Sequence, residues 1–187
     1  MRGEPPAATP EEEIPDEELV AAVNLGDVAA FETLYHRYRD WVYRHALRAC
    51  GHHDDALDVL QETFAYFSRK FPGFELRARL TTFLYPVVRN LSIDASRRRR
   101  RFAPISESAP EPSVDVESPS DPADLATVLA SLGEGHREVV LLRFVDDFSL
   151  EEIARALDIP VGTVKSRLHH ALAQLRDDPR TRKYFQP

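Results

Sequence analysis

Between Pro160 and Gln174 the chain carries Thr163, Lys165, Ser166, Arg167, His169 and His170 and no carboxylate. Each of these side chains can donate a hydrogen bond, and Lys165 and Arg167 are cations at neutral pH. The stretch just before holds Glu151, Glu152 and Asp158. A solvated helix surface ordinarily mixes both signs. A face stripped of negative charge is suited to phosphates and base edges, where Lys, Arg, Ser and His donate. A second concentration of donors is Arg97 to Arg101, five arginines in a row. That exceeds what complementing a helix C-terminus requires and points to a phosphate backbone. The opposite sign gathers at Asp58, Gln61 and Glu62, an acidic patch in an otherwise basic half; taken alone, it reads as a solvated helix face.

The elements that must position these groups follow from local patterns. Ser149 followed by Glu152 has capping-box spacing, so a helix is expected to begin at Ser149. Leu150, Ile153, Ala154 and Leu157 then recur at i, i+3, i+4 and i+7 on one apolar face. Asp158, Ile159 and Pro160 interrupt, because proline lacks an amide donor and biases the residue before it away from helix. A second helix restarts at once, with Val164, Leu168, Ala171, Leu172 and Leu175 inward and Lys165, Ser166, His169 and His170 outward. Thr163 and Arg167 flank that outward face. The pattern fits a helix-turn-helix whose second helix enters a DNA groove, although an ordinary helical hairpin has the same apolar periodicity.

Length and composition narrow the class. With 187 residues, seven glycines and no alternating strand-like runs, the sequence predicts an all-α protein of two small helical domains joined by a flexible acidic linker. Its one cysteine, Cys50, excludes an intramolecular disulfide and fits a reducing compartment. No apolar run approaches a membrane span and no signal-peptide core is present, so a cytoplasmic location without membrane contact is expected. The net charge of −7 argues against a nucleic-acid partner until it is resolved along the chain. Residues 1–18 carry −6, residues 19–102 carry +5, residues 103–124 carry −6, and residues 125–187 are neutral. The acidity belongs to tails and linkers, leaving a basic domain and a neutral one.

Taken in order, residues 1–16 predict a disordered acidic arm, residues 17–102 a first domain, 103–123 a flexible linker, 124–178 a second domain, and 179–187 a tail. Asp16 is expected to cap a short helix, and Asp27 a longer one from Val28 to about Cys50, ended by Gly51. Ala56, Val59, Leu60, Thr63, Phe64 and Phe67 form the buried side of the next helix, which Pro72 and Gly73 follow. A further helix starts at Thr81 or Thr82 with Phe83, Val87, Leu91 and Ile93 inward. Pro86 lies inside it, tolerated near the first turn and a source of a kink further in. Arg89, Asn90 and Asp94 remain partly accessible.

With these motifs in hand, the chain resembles the extracytoplasmic-function (ECF) group of the sigma-70 superfamily of bacterial transcription initiation factors. ALDVLQETF is similar to that family's AEDLVQETF, FLYPVVRNLSIDASRRRRR to its WLYRIARNLAID with trailing basic residues, and FSLEEIARALDIPVGTVKSRLHHALAQL to its minus-35-reading segment. The resemblance covers about residues 17–102 and 121–177. It implies that Asp58, Gln61 and Glu62 dock the beta-prime clamp helices of core RNA polymerase and that the beta flap is a further contact. It implies that the loop bearing Arg77 and Arg79, with Arg89, Asn90, Asp94, Arg97 and Arg98, reads and helps melt the minus-10 element. It implies that Lys165, Ser166, His169 and His170 face the minus-35 major groove, with Thr163 and Arg167 near phosphates. The linker would run toward a basic RNA exit path, and an anti-sigma protein is a common partner in the family. The chain departs from the pattern at Phe83, where the family usually has Trp, at Pro86, which replaces a common Arg, and at His169 and His170, which donate more strongly once protonated.

An alternative is a helix-turn-helix activator of the response-regulator type that is not a sigma subunit. It would require an α/β receiver domain where helices are predicted. A metal protein is a third possibility, through Glu32 and His36 or the cluster of Cys50, His52, His53, Asp54 and Asp55. Neither a glycine-rich nucleotide loop, a catalytic-triad spacing nor an H-E-x-x-H motif is present. No catalytic activity, cofactor or metal is therefore expected.

Overall fold

The structure, a computed structural model, describes residues 14–102 and 122–181. Residues 1–13 of the expected arm, residues 103–121 of the expected linker and the end of the tail lie outside the described residues. Every regular element among the described residues is a helix: α1 (Asp16–Asn24), α2 (Val28–Cys50), α3 (His53–Ser68), α4 (Leu80–Phe102), α5 (Pro122–Ser131), α6 (Glu134–Phe144), α7 (Leu150–Leu157) and α8 (Val161–Asp177).

Helices α1 to α4 form the first domain. Asp27 caps α2, its carboxylate accepting from Ala29 N at 2.9 Å and Ala30 N at 3.2 Å. Gly51 ends the helix at φ 72°, the left-handed conformation that costs glycine least. Asp16 departs from expectation. Pro15 holds the N-cap position of α1 without a side-chain bond. The Asp16 carboxylate instead reaches α2, where it accepts from Arg37 at 2.5 Å and from the Tyr38 hydroxyl. Two such charge-assisted bonds outweigh a single bond to a backbone N–H, and they tie α1 down.

The core of this domain gathers Leu34, Val42, Ala46, Val59 and Phe67 with Leu80, Leu84 and Val88 of α4. Phe67 is fully buried, and the rings of Phe31, Phe71, Phe74 and Phe83 surround it at centroid distances of 5.1–5.7 Å. The predicted inner face of α3 matches residue for residue. That of α4 does not: Leu80, Leu84, Val88 and Ala95 are buried, while Phe83, Val87, Leu91 and Ile93 are only partly covered. Neighbouring helical stripes differ by one residue, and both carry apolar side chains here, so periodicity could not choose between them. Helix α4 runs through Pro86 without interruption.

Helices α5 to α8 form the second domain around Val128, Val139, Leu142, Phe148, Ile153, Val164 and Ala171. Arg137 closes the end of α5 by donating to the carbonyls of Leu129 (2.8 Å) and Leu132 (3.0 Å). The capping box at α7 is complete. Asp158 ends α7 in the left-handed region at φ 53°, and Ile159 N bonds back to Ala154 O at 3.0 Å. The two domains touch. Tyr85 of α4 is 8% exposed and packs with the second domain's core, its ring 6.3 Å from that of Phe148.

Candidate nucleic-acid and partner-binding surfaces

Helix α8 is positioned by its buried side. Val164, Leu168, Ala171 and Leu175 face the core, which turns Lys165, Ser166, His169 and His170 to the exterior, all four exposed. Thr163 and Arg167 are half-buried at the edges of that face. Arg167 lies flat over the start of α6: a Cβ built on Gly135 would sit 3.1 Å from its terminal nitrogen, so glycine there makes room for the guanidinium. No side chain caps the start of α8 at Pro160, leaving its first N–H groups and the positive pole of the helix beside the outward face, an arrangement suited to phosphate. His136 of α6, which periodicity did not mark as a site residue, brings its ring within 6.2 Å of His170, and His170 lies 5.7 Å from His169. Only the packing of α6 on α8 joins these three imidazoles.

The first domain presents two surfaces of opposite character. On α3, Asp58, Gln61 and Glu62 are exposed along one side. Beside them runs a shallow groove of about 740 Å³ lined by Glu62, Ala65, Tyr66, Phe83, Pro86 and Val87. The arginine run reaches back toward this side: Arg98 lies 3.8 Å from Glu62, and Arg99 donates to Asp55 at 2.7 Å. Arg97 lies 3.9 Å from Asp94, whose side chain is 63% exposed. Exposed pairs of this kind contribute little, so these guanidiniums can exchange a carboxylate for a phosphate at small cost.

The loop between α3 and α4 is clasped by Asn24, a residue that carried no sequence signal. Its side chain accepts from Gly73 N at 2.6 Å and Phe74 N at 3.1 Å, and donates to Phe74 O at 2.9 Å. Gly73 at φ 103° makes the turn that presents these backbone groups. The clasp holds open a groove of about 610 Å³ lined by Lys70, Phe74, Leu76, Arg77, Thr82 and Phe83. Aromatic faces with flanking cations suit unstacked bases. Arg77 pairs with the nearby Glu75, and its side chain is 84% exposed. Asn90 is also exposed.

Arg79 and Arg89 are held differently. Arg89 donates to Glu138 of the second domain at 2.7 Å. Burial pulls its pKa down, but the hydrogen bond and charge of Glu138 outweigh this and raise it. Arg79 donates to Asp147 O at 3.0 Å and lies over the Phe148 ring. Of the candidate metal residues, Glu32 and His36 lie 3.6 Å apart on one helix, while His53 meets Tyr43, Asp55 meets Arg99, and Cys50 meets the Ser92 carbonyl. Among the described residues no group of three or more His, Cys, Asp or Glu could hold a metal ion. No described helix is long and apolar enough to cross a membrane.

A basic helical domain with an acidic edge, followed by a helix-turn-helix with a donor-rich outer face, defines a two-module DNA-binding regulator. Comparison with known proteins gives the family. The Sigma-70 region 2 family matches residues 34–102, and the Sigma-70, region 4 family matches residues 123–175. The chain is 35% identical to the RNA polymerase sigma-E factor of Streptomyces coelicolor, covering 82% of this chain and 88% of that protein. It is 32% identical to the ECF RNA polymerase sigma factor SigL of Mycobacterium tuberculosis, covering 84% and 93%. Among solved structures it is similar to the sigma factor RpoE of Bartonella quintana, in complex with the anti-sigma factor NepR, with a TM-score of 0.61 and 26% identity over 80% of this chain and 96% of that one. The chain belongs to the ECF sigma factors of the sigma-70 family, non-catalytic transcription initiation factors that direct RNA polymerase to promoters.

Proposed function

We propose that this sigma factor divides its work between residues 17–102, which bind core polymerase and the minus-10 element, and residues 124–178, which read the minus-35 element. Asp58, Gln61 and Glu62 of α3 dock the beta-prime clamp helices, and the second domain meets the beta flap. Arg77, Arg79, Arg89, Asn90, Asp94, Arg97 and Arg98 serve the minus-10 element. The aromatic groove beside Phe74 and Phe83 offers a flipped base stacking that compensates an unstacking cost of a few kcal/mol. On α8, Lys165, Ser166, His169 and His170 enter the major groove while Thr163, Arg167 and the uncapped helix start meet phosphates. The observation that carries this reading is the sorting of charge by surface. Exposed carboxylates cluster on α3, where a protein would dock, and are missing from the outer face of α8 between Pro160 and Gln174, where DNA would lie.

The chain contributes recruitment and no chemistry of its own, and it works in the cytoplasm, with an anti-sigma protein as a regulatory partner. A run-off transcription assay tests the reading, using bacterial core RNA polymerase with and without the protein on a sequenced pool of promoter fragments. Initiation that depends on the protein, from fragments sharing two spaced elements, is the expected result. A protein that binds duplex DNA but neither binds core polymerase nor initiates would remove the role given to Asp58, Gln61 and Glu62.

A further inference from the structure

The loop that frames the groove beside Phe74 and Phe83 does little to hold its own shape. Glu75, Leu76, Arg77 and Ala78 line the groove, and among the described residues they hydrogen-bond only through the exposed pair of Arg77 and Glu75. The fixed point is Asn24, the last residue of α1. Its Oδ1 accepts from Gly73 N at 2.6 Å and Phe74 N at 3.1 Å, and its Nδ2 donates to Phe74 O at 2.9 Å. One side-chain amide therefore satisfies both main-chain groups of Phe74. Helix α1 is a firm anchor for that amide, because Leu19 and Val20 are buried and Asp16 holds Arg37 at 2.5 Å. The Phe74 ring goes into the aromatic cluster, 4.8 Å from Phe83 and 5.3 Å from Phe67. Phe74 is thus pinned twice, by its main chain to α1 and by its ring to the core, and Glu75 to Ala78 leave it in a set direction.

A base turned into this groove meets the main chain and side chains of Glu75 to Ala78. Hydrogen-bonding groups tell one base from another only when they are held in place, within about 0.5 Å of the productive geometry. A loop released from its anchor would present those groups in several directions and accept several bases. We propose that Asn24 is a specificity-determining positioning residue, which fixes the main chain at Gly73 and Phe74 from behind and thereby selects the base that the groove accepts. The inference rests on the assignment of this loop to the minus-10 element. It makes α1 part of the promoter reader, although no described residue of α1 lines the groove. Asparagine is the type this position needs. A carboxylate could accept from both N–H groups, but it would set its second oxygen against the Phe74 carbonyl, and an aliphatic side chain could do neither.

The test uses the full chain assembled with core RNA polymerase on a pool of promoter fragments randomised across the minus-10 element, with the initiating fragments sequenced. Asn24→Ala removes all three bonds. If the productive loop geometry then falls to roughly one tenth of the population, the preference for the favoured base at the position facing the groove should shrink about tenfold. Preferences in the minus-35 element and binding to core polymerase should stay at the parent values. Asn24→Asp keeps the acceptor for Gly73 N and Phe74 N and should recover part of the preference. A residue that merely stabilised the fold would lower initiation on all fragments alike and leave the base preference intact. That result would overturn the proposal, as would an unchanged preference in Asn24→Ala. The double variant Leu76→Ala/Arg77→Ala, which alters the groove itself, separates the two levels of the reasoning. If it changes the minus-10 preference while Asn24→Ala does not, the role of Asn24 alone fails. If neither variant changes it, the assignment of the loop to the minus-10 element fails as well.

Discussion

Ser149→Ala isolates one local interaction on which the helix-turn-helix depends. Glu152 N donates to Ser149 Oγ at 3.1 Å, and Ser149 N donates to Glu152 Oε2 at 2.8 Å. The helix they start, α7, has eight residues, far below the length at which a helix holds by itself in water. Its buried contacts through Ile153, Ala154 and Ala156 therefore depend on a well-formed first turn. Removing the hydroxyl leaves one donor without its partner and should cost about 1 kcal/mol of second-domain stability. Glu152 adds a pH signature. Burial pulls its pKa up, but the hydrogen bonds from Ser149 prevail and hold it below the ordinary value of 4.5. Because the folded value is the lower one, this contribution is complete above pH 4.5 and fades as pH falls through the folded pKa. Glu152→Gln should thus be less stable than the parent at neutral pH and converge with it in acid. Urea denaturation of the full chain, followed by circular dichroism from pH 7 to pH 3, measures both effects. An unchanged midpoint for Ser149→Ala, or a Glu152→Gln deficit that persists undiminished in acid, would refute the reasoning.

Other expectations are as direct. Phe67→Ala removes the ring at the centre of five aromatics and should destabilise the first domain by about 3–5 kcal/mol, read as a lower denaturation midpoint with the second domain's DNA affinity retained. Gly51→Ala meets no atom within 4 Å, so its cost of about 1–2 kcal/mol comes from the left-handed backbone alone. Lys165→Ala should weaken minus-35 binding with little change in the slope of log affinity against log salt, as for a base-edge contact; a slope lower by about one would place it on a phosphate instead. Replacing His169 and His170 together with Ala should weaken minus-35 binding at fixed pH and salt, and unchanged affinity would remove them from the groove-facing set.

Much of this architecture is local and was therefore legible in the residue order. Asp27 and Gly51 bound α2 because a cap needs only a carboxylate within three residues and a left-handed turn needs only a missing Cβ. Ser149 and Glu152 announced α7 for the same reason, and the inner face of α3 followed from its 3.6-residue period. The donor-rich face of α8 was visible because charge and periodicity coincide there.

Features set by partners distant in sequence were not legible. Asp16 looked like a cap until α2 brought Arg37 and Tyr38 beside it. Asn24 gave no sign of clasping a loop about 50 residues away. The inner stripe of α4 was ambiguous because Phe83 and Leu84 are equally apolar, and only the position of the Phe67 cluster and of the second domain decides which is covered. The sequence by itself determined the helices, their caps and the sorting of donors and acids along the chain, since each depends on neighbours a few residues apart. The tertiary structure alone decided that Arg79 and Arg89 meet Asp147 and Glu138, because side chains some 50–70 positions apart meet only where two apolar cores bring their helices together.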